Sequence, residues 1–189
     1  MSNVKKLVIT AMLIALCVVL PMAFHSIQQA GMILLPMHIP VLLAGLTLGW
    51  KYGLVTGIVG PFLSSLTGMP PTAIAYLMML ELGVYGLVSG LVVQFIRTKR
   101  ASLDFYIALV AAMLAGRVIC GIAQVFFIGE YNFMSGSWGG AGTFTWSMWA
   151  SVYFATALPG LVIQLAFIPS VVMALERERV LPFRYPVKA

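Results

Sequence analysis

Long apolar runs, separated by short polar segments, dominate the hydropathy pattern of this chain of 189 residues. A membrane-spanning helix needs about 20 mostly apolar residues, and the runs predict six such helices. We expect them at about residues 6–24, 38–49, 52–66, 72–96, 103–128 and 146–175, with turns at residues 50–52 and 67–71 and longer loops at 25–37 and 129–145. Because no hydrophilic stretch is long enough for a second unit, the pattern predicts a single membrane domain over residues 1–189.

The composition supports the membrane interpretation. Hydrophobic residues make up 61% of the chain and charged residues only 8%, whereas soluble domains carry about 25% charged residues. A water-soluble fold of this size cannot hide so much apolar surface, so many side chains must face lipid. The sequence therefore predicts an all-α integral membrane protein.

The basic residues lie in short clusters beside the apolar runs. Six spans place both termini on one side of the membrane, and the predicted connections on the other side contain no Lys or Arg. Because short loops rich in Lys and Arg stay in the cytoplasm, both termini are predicted to be cytoplasmic in a multi-pass protein of the cell membrane. The net charge of +6 is thus explained by topology and does not indicate nucleic-acid binding. The clusters are Lys5/Lys6, Lys51, Arg97/Lys99/Arg100 and Arg177/Arg179.

Two ionisable residues, Glu81 and Arg117, lie deep inside predicted spans. A charge in the middle of a bilayer costs about 2.5–3.5 kcal/mol on insertion scales, so these residues must have a role. Glu81 lies roughly 15 Å into the fourth helix and Arg117 roughly 20 Å into the fifth, at 1.5 Å per residue. The two are therefore expected to meet near the membrane centre, either as a structural ion pair or as a pair that also contacts a polar ligand.

Further polar and aromatic residues complete a candidate solute site at the outer ends of the last three helices. Side chains three, four or seven positions apart share a helix face, which groups Tyr85 with Glu81 and Gln124 with Arg117. The same spacing aligns aromatic residues on the last helix, as a stacking wall for a planar ring or as an interfacial belt. This aromatic face and the adjoining loop contribute Trp146, Trp149, Tyr153, Asn132 and Trp138.

The residues that enzymes and metal sites need are missing from the sequence pattern. His25 and His38 have no carboxylate companion at a metal-ligand spacing, and Cys17 and Cys120 lie singly inside apolar runs. No GxxxxGK[ST] motif is present, so the chain does not bind ATP in that way. We therefore expect no metal, no cofactor and no catalytic residues.

Small residues four positions apart recur in the second, third and fourth predicted helices. Such pairs let membrane helices approach closely, and they predict tight packing between these helices. The pairs are Gly45/Gly49, Gly53/Gly57 and Gly86/Gly90.

Four segments resemble the substrate-binding S components of energy-coupling factor (ECF) transporters. They are residues 11–15 (AMLIA), 35–45 (LPMHIPVLLAG), 67–71 (TGMPP) and 81–86 (ELGVYG), and the likeness in size and helix number covers nearly the whole chain. The resemblance implies a subunit that captures a vitamin or vitamin precursor and associates with a membrane coupling subunit and two cytoplasmic ATPases. It also implies that Ala11 and Ala15 form the docking patch for the coupling subunit, and it adds His38 to the candidate solute-binding residues.

The solute stays open between pyridoxine, pantothenate, hydroxymethylpyrimidine and a deazapurine base. The aromatic face favours a planar ring, whereas an unpaired Arg117 favours a carboxylate such as that of pantothenate. Two other functions also remain: an integral membrane enzyme acting on a lipid-type substrate, and a membrane assembly protein without a ligand.

Overall fold

The structure is a computed structural model that describes residues 2–24, 35–68, 72–98, 100–127, 131–132, 137–138 and 150–177. Within these residues the fold consists of six α-helices, one π-helical segment and one pair of two-residue strands. The helices are α1 (Asn3–Phe24), α2 (His38–Leu48), α3 (Trp50–Leu66), α4 (Thr72–Phe95), α5 (Ala101–Phe127) and α6 (Leu158–Arg177). The strands β1 (Tyr131–Asn132) and β2 (Ser137–Trp138) precede the π-helix Ser151–Thr156.

The helix α4 lies at the centre of the bundle. It packs along α2, α3 and α5, while α1 covers α2 and α3, and α6 lies against α2 and α5. The main core forms where these helices meet, and it includes Leu42, Leu82, Tyr85, Leu109 and Ile168. Three polar side chains on α4, those of Glu81, Tyr85 and Ser89, are therefore buried against protein rather than facing lipid.

Four of the helices are long and apolar enough to cross a membrane, namely α1, α4, α5 and α6, as expected of a multi-pass membrane protein. Each of the six predicted segments contains an α-helix in the described residues, and the second is short, as the sequence indicated. With 11 residues, α2 is about 16 Å long at 1.5 Å per residue, or half of the roughly 30 Å hydrocarbon layer.

The turn predicted at residues 50–52 is wrong, because α3 already begins at Trp50. The break between α2 and α3 is confined to Gly49, whose φ of 98° lies in the left-handed region. Glycine adopts this conformation without a Cβ clash, so one residue suffices to end one helix and start the next.

Close helix packing at the small residues is confirmed around Gly53 and Gly86. A Cβ atom on Gly86 would overlap the backbone carbonyl of Gly53, and one on Gly57 would overlap the carbonyl of Leu82. The α3 and α4 backbones are therefore in direct contact. Gly49 is the exception among the predicted pairs, since nothing lies within 4 Å of a Cβ built there.

The last predicted helix is interrupted. The π-helical segment Ser151–Thr156 ends before α6 starts at Leu158, so a single helix over residues 146–175 is not what forms. Pro159 lies in the first turn of α6, where its missing N–H group leaves no helix hydrogen bond unmade.

The predicted loop over residues 129–145 contains the two short strands, which pair antiparallel with Tyr131 opposite Trp138 and Asn132 opposite Ser137. The remaining residues of this loop lie outside the described residues, as do residues 25–34 of the other long loop.

Candidate functional site

A buried chain of polar contacts joins α4 to α5. The Tyr85 hydroxyl donates a hydrogen bond to Oε1 of Glu81 at 3.0 Å, and Nε of Arg117 donates to the Tyr85 oxygen, also at 3.0 Å. Glu81 and Tyr85 are four residues apart on one face of α4, which brings both within reach of one neighbouring helix. Among the described residues the carboxylate and the guanidinium are thus joined through a phenol rather than as a direct ion pair.

His38 approaches the same carboxylate from α2, of which it is the first residue. Its Nε2 lies 4.0 Å from Oε1 of Glu81, and its ring meets the Tyr85 ring edge to face, with centroids 5.1 Å apart. The short length of α2 places this ring in the interior of the bundle instead of at a surface.

The backbone turn before α2 holds His38 in place. The Leu35 carbonyl accepts hydrogen bonds from the backbone N–H of His38 at 3.0 Å and from Nε2 of Gln164 on α6 at 3.4 Å. Leu35 has a φ of 49°, which is uncommon for a residue other than glycine. Two donors on one carbonyl stabilise this strained turn, and Gln164 thereby links α6 to α2.

His38, Glu81, Tyr85, Arg117 and Gln164 form one contiguous group, which we call the buried polar cluster. None of the five is more than 7% exposed. The Arg117 guanidinium also lies over the Phe154 ring of the π-helical segment, 5.3 Å from its centroid. Stacking on an aromatic face partly offsets the free-energy cost of removing the guanidinium charge from water.

Three atoms of the buried polar cluster have no hydrogen-bond partner among the described residues. They are Nδ1 of His38, Nη1 of Arg117 and Oε1 of Gln164. More than nine in ten buried polar groups in native proteins are satisfied, and leaving one unsatisfied costs about 1–3 kcal/mol. Three such atoms on three different helices mark this cluster as the part of the described structure that is best prepared for a polar ligand.

Gly116 on α5 makes room for the central phenol of the cluster. A Cβ atom at this position would overlap two carbon atoms of the Tyr85 ring. The ring is therefore pressed against the α5 backbone one residue before Arg117, which keeps its hydroxyl within reach of Nε.

Four of the predicted solute-site residues come together in the cluster, namely His38, Glu81, Tyr85 and Arg117. Gln124 lies on α5, seven residues beyond Arg117, and Tyr153 lies in the π-helical segment. Their side chains are outside the described part of the structure, as are those of the strand residues Asn132 and Trp138; Trp146 and Trp149 lie wholly outside it. The role of all these residues in binding stays a prediction.

Gln164 and Phe154 were not among the predicted site residues. Gln164 is the only amide in α6 and is fully buried; a polar residue isolated in an apolar helix was the available signal. Phe154 carried no signal, because one phenylalanine among apolar residues is unremarkable.

Ala11 and Ala15 are exposed on one face of α1, and α1 is the least buried of the four candidate spans. Both side chains are therefore accessible to lipid or to a partner. Within the described residues, no group of three or more His, Cys, Asp or Glu side chains is placed to hold a metal ion.

Comparison with known proteins gives one match. A family model described as "ECF transporter, substrate-specific component" matches residues 5–173, which include every member of the buried polar cluster. Searches of curated proteins and of solved structures found no match.

Proposed function

Because the chain belongs to the family of substrate-specific components of ECF transporters, we propose that it captures a vitamin-like solute at the buried polar cluster for import into the cell. This family is one of transporter components and not of enzymes. The observation that carries the proposal is the set of three buried polar atoms that have no partner among the described residues. Small-molecule sites usually combine apolar walls with a few placed polar groups, as this cluster does.

The proposal includes the orientation of the chain. We place both termini in the cytoplasm and the whole chain in one membrane domain of the cell membrane. Lys6 lies in the first turn of α1, and Arg177 is the last residue of α6. Lys51 lies at the start of α3, and Arg97 and Arg100 lie between α4 and α5. In an alternating bundle these five positions fall on one face, as the preference of Lys and Arg for the cytoplasmic side requires.

The proposed partners are a membrane coupling subunit and two cytoplasmic ATPases. The ATPases would supply the energy of ATP hydrolysis, since this chain contains no GxxxxGK[ST] motif for ATP binding. The exposed alanine face of α1 is the proposed contact with the coupling subunit. Small side chains let helix backbones approach closely in lipid, and Ala11 and Ala15 are one helical turn apart on that face.

Replacing both Ala11 and Ala15 with tryptophan is expected to prevent assembly with the coupling subunit while leaving solute binding unchanged. The bulky rings would hold the partner helix away, whereas the buried polar cluster lies on other helices. Co-purification of the coupling subunit measures the first effect and solute titration the second. Ala166→Trp on the exposed face of α6 is the matched control and should assemble normally. Loss of solute binding with assembly retained would contradict the proposed docking face.

Capture itself is tested by native mass spectrometry of the chain expressed alone and released gently from detergent. A bound small molecule of vitamin mass would support capture and identify the solute. A protein that carries nothing and also binds none of the candidate vitamins, added one at a time, would argue for a ligand-free assembly protein instead.

A further inference from the structure

We infer, on the basis of the proposed function, that the solute has no net charge, offers one acceptor to Arg117 and donates hydrogen bonds to His38 and Gln164. A compact nitrogen heterocycle with hydroxymethyl or amino substituents has this chemistry. Each of the three buried atoms that lack a partner among the described residues demands one donor or acceptor from the solute.

Arg117 provides the donor. A guanidinium has five N–H groups and no acceptor. Its Nε is used by Tyr85, and its Nη1 has no partner among the described residues. The solute must therefore present an acceptor, such as a ring nitrogen, a hydroxyl or a carbonyl oxygen, toward this atom.

His38 provides an acceptor. Its Nε2 lies 4.0 Å from Oε1 of Glu81, and we assign the ring proton to this nitrogen because the partner of one ring nitrogen decides which tautomer forms. The charges of Glu81 and Arg117 already balance, and a second buried cation would be uncompensated and costly. Nδ1, the other ring nitrogen, has no hydrogen-bond partner among the described residues, and we assign it as the acceptor that needs a donor from the solute.

Gln164 provides a second acceptor. Its amide nitrogen donates to the Leu35 carbonyl, which fixes the amide orientation and leaves Oε1 with no partner in the described part of the chain. Since the same Leu35 carbonyl binds the backbone of His38, the two acceptors belong to neighbouring groups of the cluster. A solute that reaches both must carry two donors.

A carboxylate or phosphate does not fit this set. Its oxygens accept hydrogen bonds but donate none when ionised, so it would satisfy Arg117 and leave both acceptors facing further oxygen lone pairs. An uncharged solute with one acceptor and two donors satisfies all three atoms. Pantothenate could donate from its hydroxyl groups and amide, but its carboxylate would add a buried negative charge to a pair, Glu81 and Arg117, that is already balanced. The charge balance of the cluster therefore favours the uncharged ring compounds.

The test measures binding to the purified full chain by calorimetry, with hydroxymethylpyrimidine, pyridoxine and a deazapurine base as uncharged donors and pantothenate as the carboxylate. Any solute that co-purifies is identified by mass and classed in the same way. We expect the tightest ligand to be an uncharged donor. Tightest binding by a carboxylate or phosphate would overturn the inference but leave solute capture intact, whereas no ligand of either class would reject capture itself.

A variant of Gln164 tests the acceptor. Gln164→Met is close to glutamine in size and adds no charge to the buried polar cluster, but it has no oxygen that can accept a hydrogen bond. We expect Gln164→Met to bind the tightest ligand about tenfold more weakly than the unaltered protein does, the usual effect of one hydrogen bond. Unchanged affinity would overturn the assignment of Oε1. Gln94→Met, at an exposed position of α4, is the control for the same chemical change and should bind as the unaltered protein does.

Discussion

Replacing Arg117 with glutamine is expected to lower the free energy of unfolding by about 3 kcal/mol, the scale on which breaking a buried charged network destabilises proteins. The Glu81 carboxylate would remain buried with its hydrogen bond from Tyr85 but without a cation to balance it. Glu81→Gln should lower the free energy of unfolding by a similar amount, because it leaves the buried Arg117 guanidinium without an anion to balance it. Thermal unfolding in detergent measures both effects.

The double variant Glu81→Gln/Arg117→Gln should lose less stability than the sum of the two single variants, because it leaves no uncompensated charge. A difference of about 1 kcal/mol or more indicates coupling, while additive effects would show that the phenol does not connect the two groups energetically. Arg97→Gln, at an exposed position between α4 and α5, removes the same charge without touching the cluster. It should unfold like the unaltered protein.

Replacing Gly86 with alanine is expected to destabilise the bundle by about 3 kcal/mol, at the upper end of the usual cost of overpacking. The new methyl group would overlap the Gly53 carbonyl, which is backbone and cannot rotate away. To admit the methyl group, α3 and α4 would have to separate along their whole contact. The melting temperature in detergent measures this loss.

Gly83→Ala on the same helix is the matched control. A Cβ there would lie 3.3 Å from Cγ1 of Ile58 and 3.5 Å from Cδ1 of Leu54, and side chains can shift by a few tenths of an ångström. We expect a change below about 1 kcal/mol, since alanine also favours the helix more than glycine does. Equal destabilisation by both variants would mean that loss of glycine itself, and not the contact with Gly53, is responsible.

The helices could be predicted from the sequence because lipid demands long, uninterrupted apolar runs. The break between α2 and α3 was misplaced for a local reason: Lys51 and the aromatic residues beside it are typical of an interface, yet they fit the first turn of a helix. Gly49 alone, with its positive φ, forms the break between the helices that the sequence pattern assigned to residues 50–52. The π-helical segment before α6 could not be predicted, since its residues have the same apolar character as those of an α-helix.

The core of the candidate site was predictable, because a charge inside a membrane span needs a partner. That reasoning brought Glu81, Tyr85 and Arg117 together, although the link through the phenol depends on how α5 packs at Gly116. Gln164 was not predictable as a member, because its contact with Leu35 joins residues 129 positions apart. Such a contact depends on tertiary packing, which no local spacing reveals.

The balance of charge in the buried polar cluster has an electrical consequence. Moving one elementary charge through a membrane potential costs or releases about 2.3 kcal/mol per 100 mV. The single negative charge of Glu81 and the single positive charge of Arg117 cancel, and an uncharged solute adds nothing to them. Under the proposed function, a cluster that holds an uncharged solute would release it to the cytoplasm without working against an interior-negative voltage. A carboxylate would have to carry its negative charge inward against that voltage.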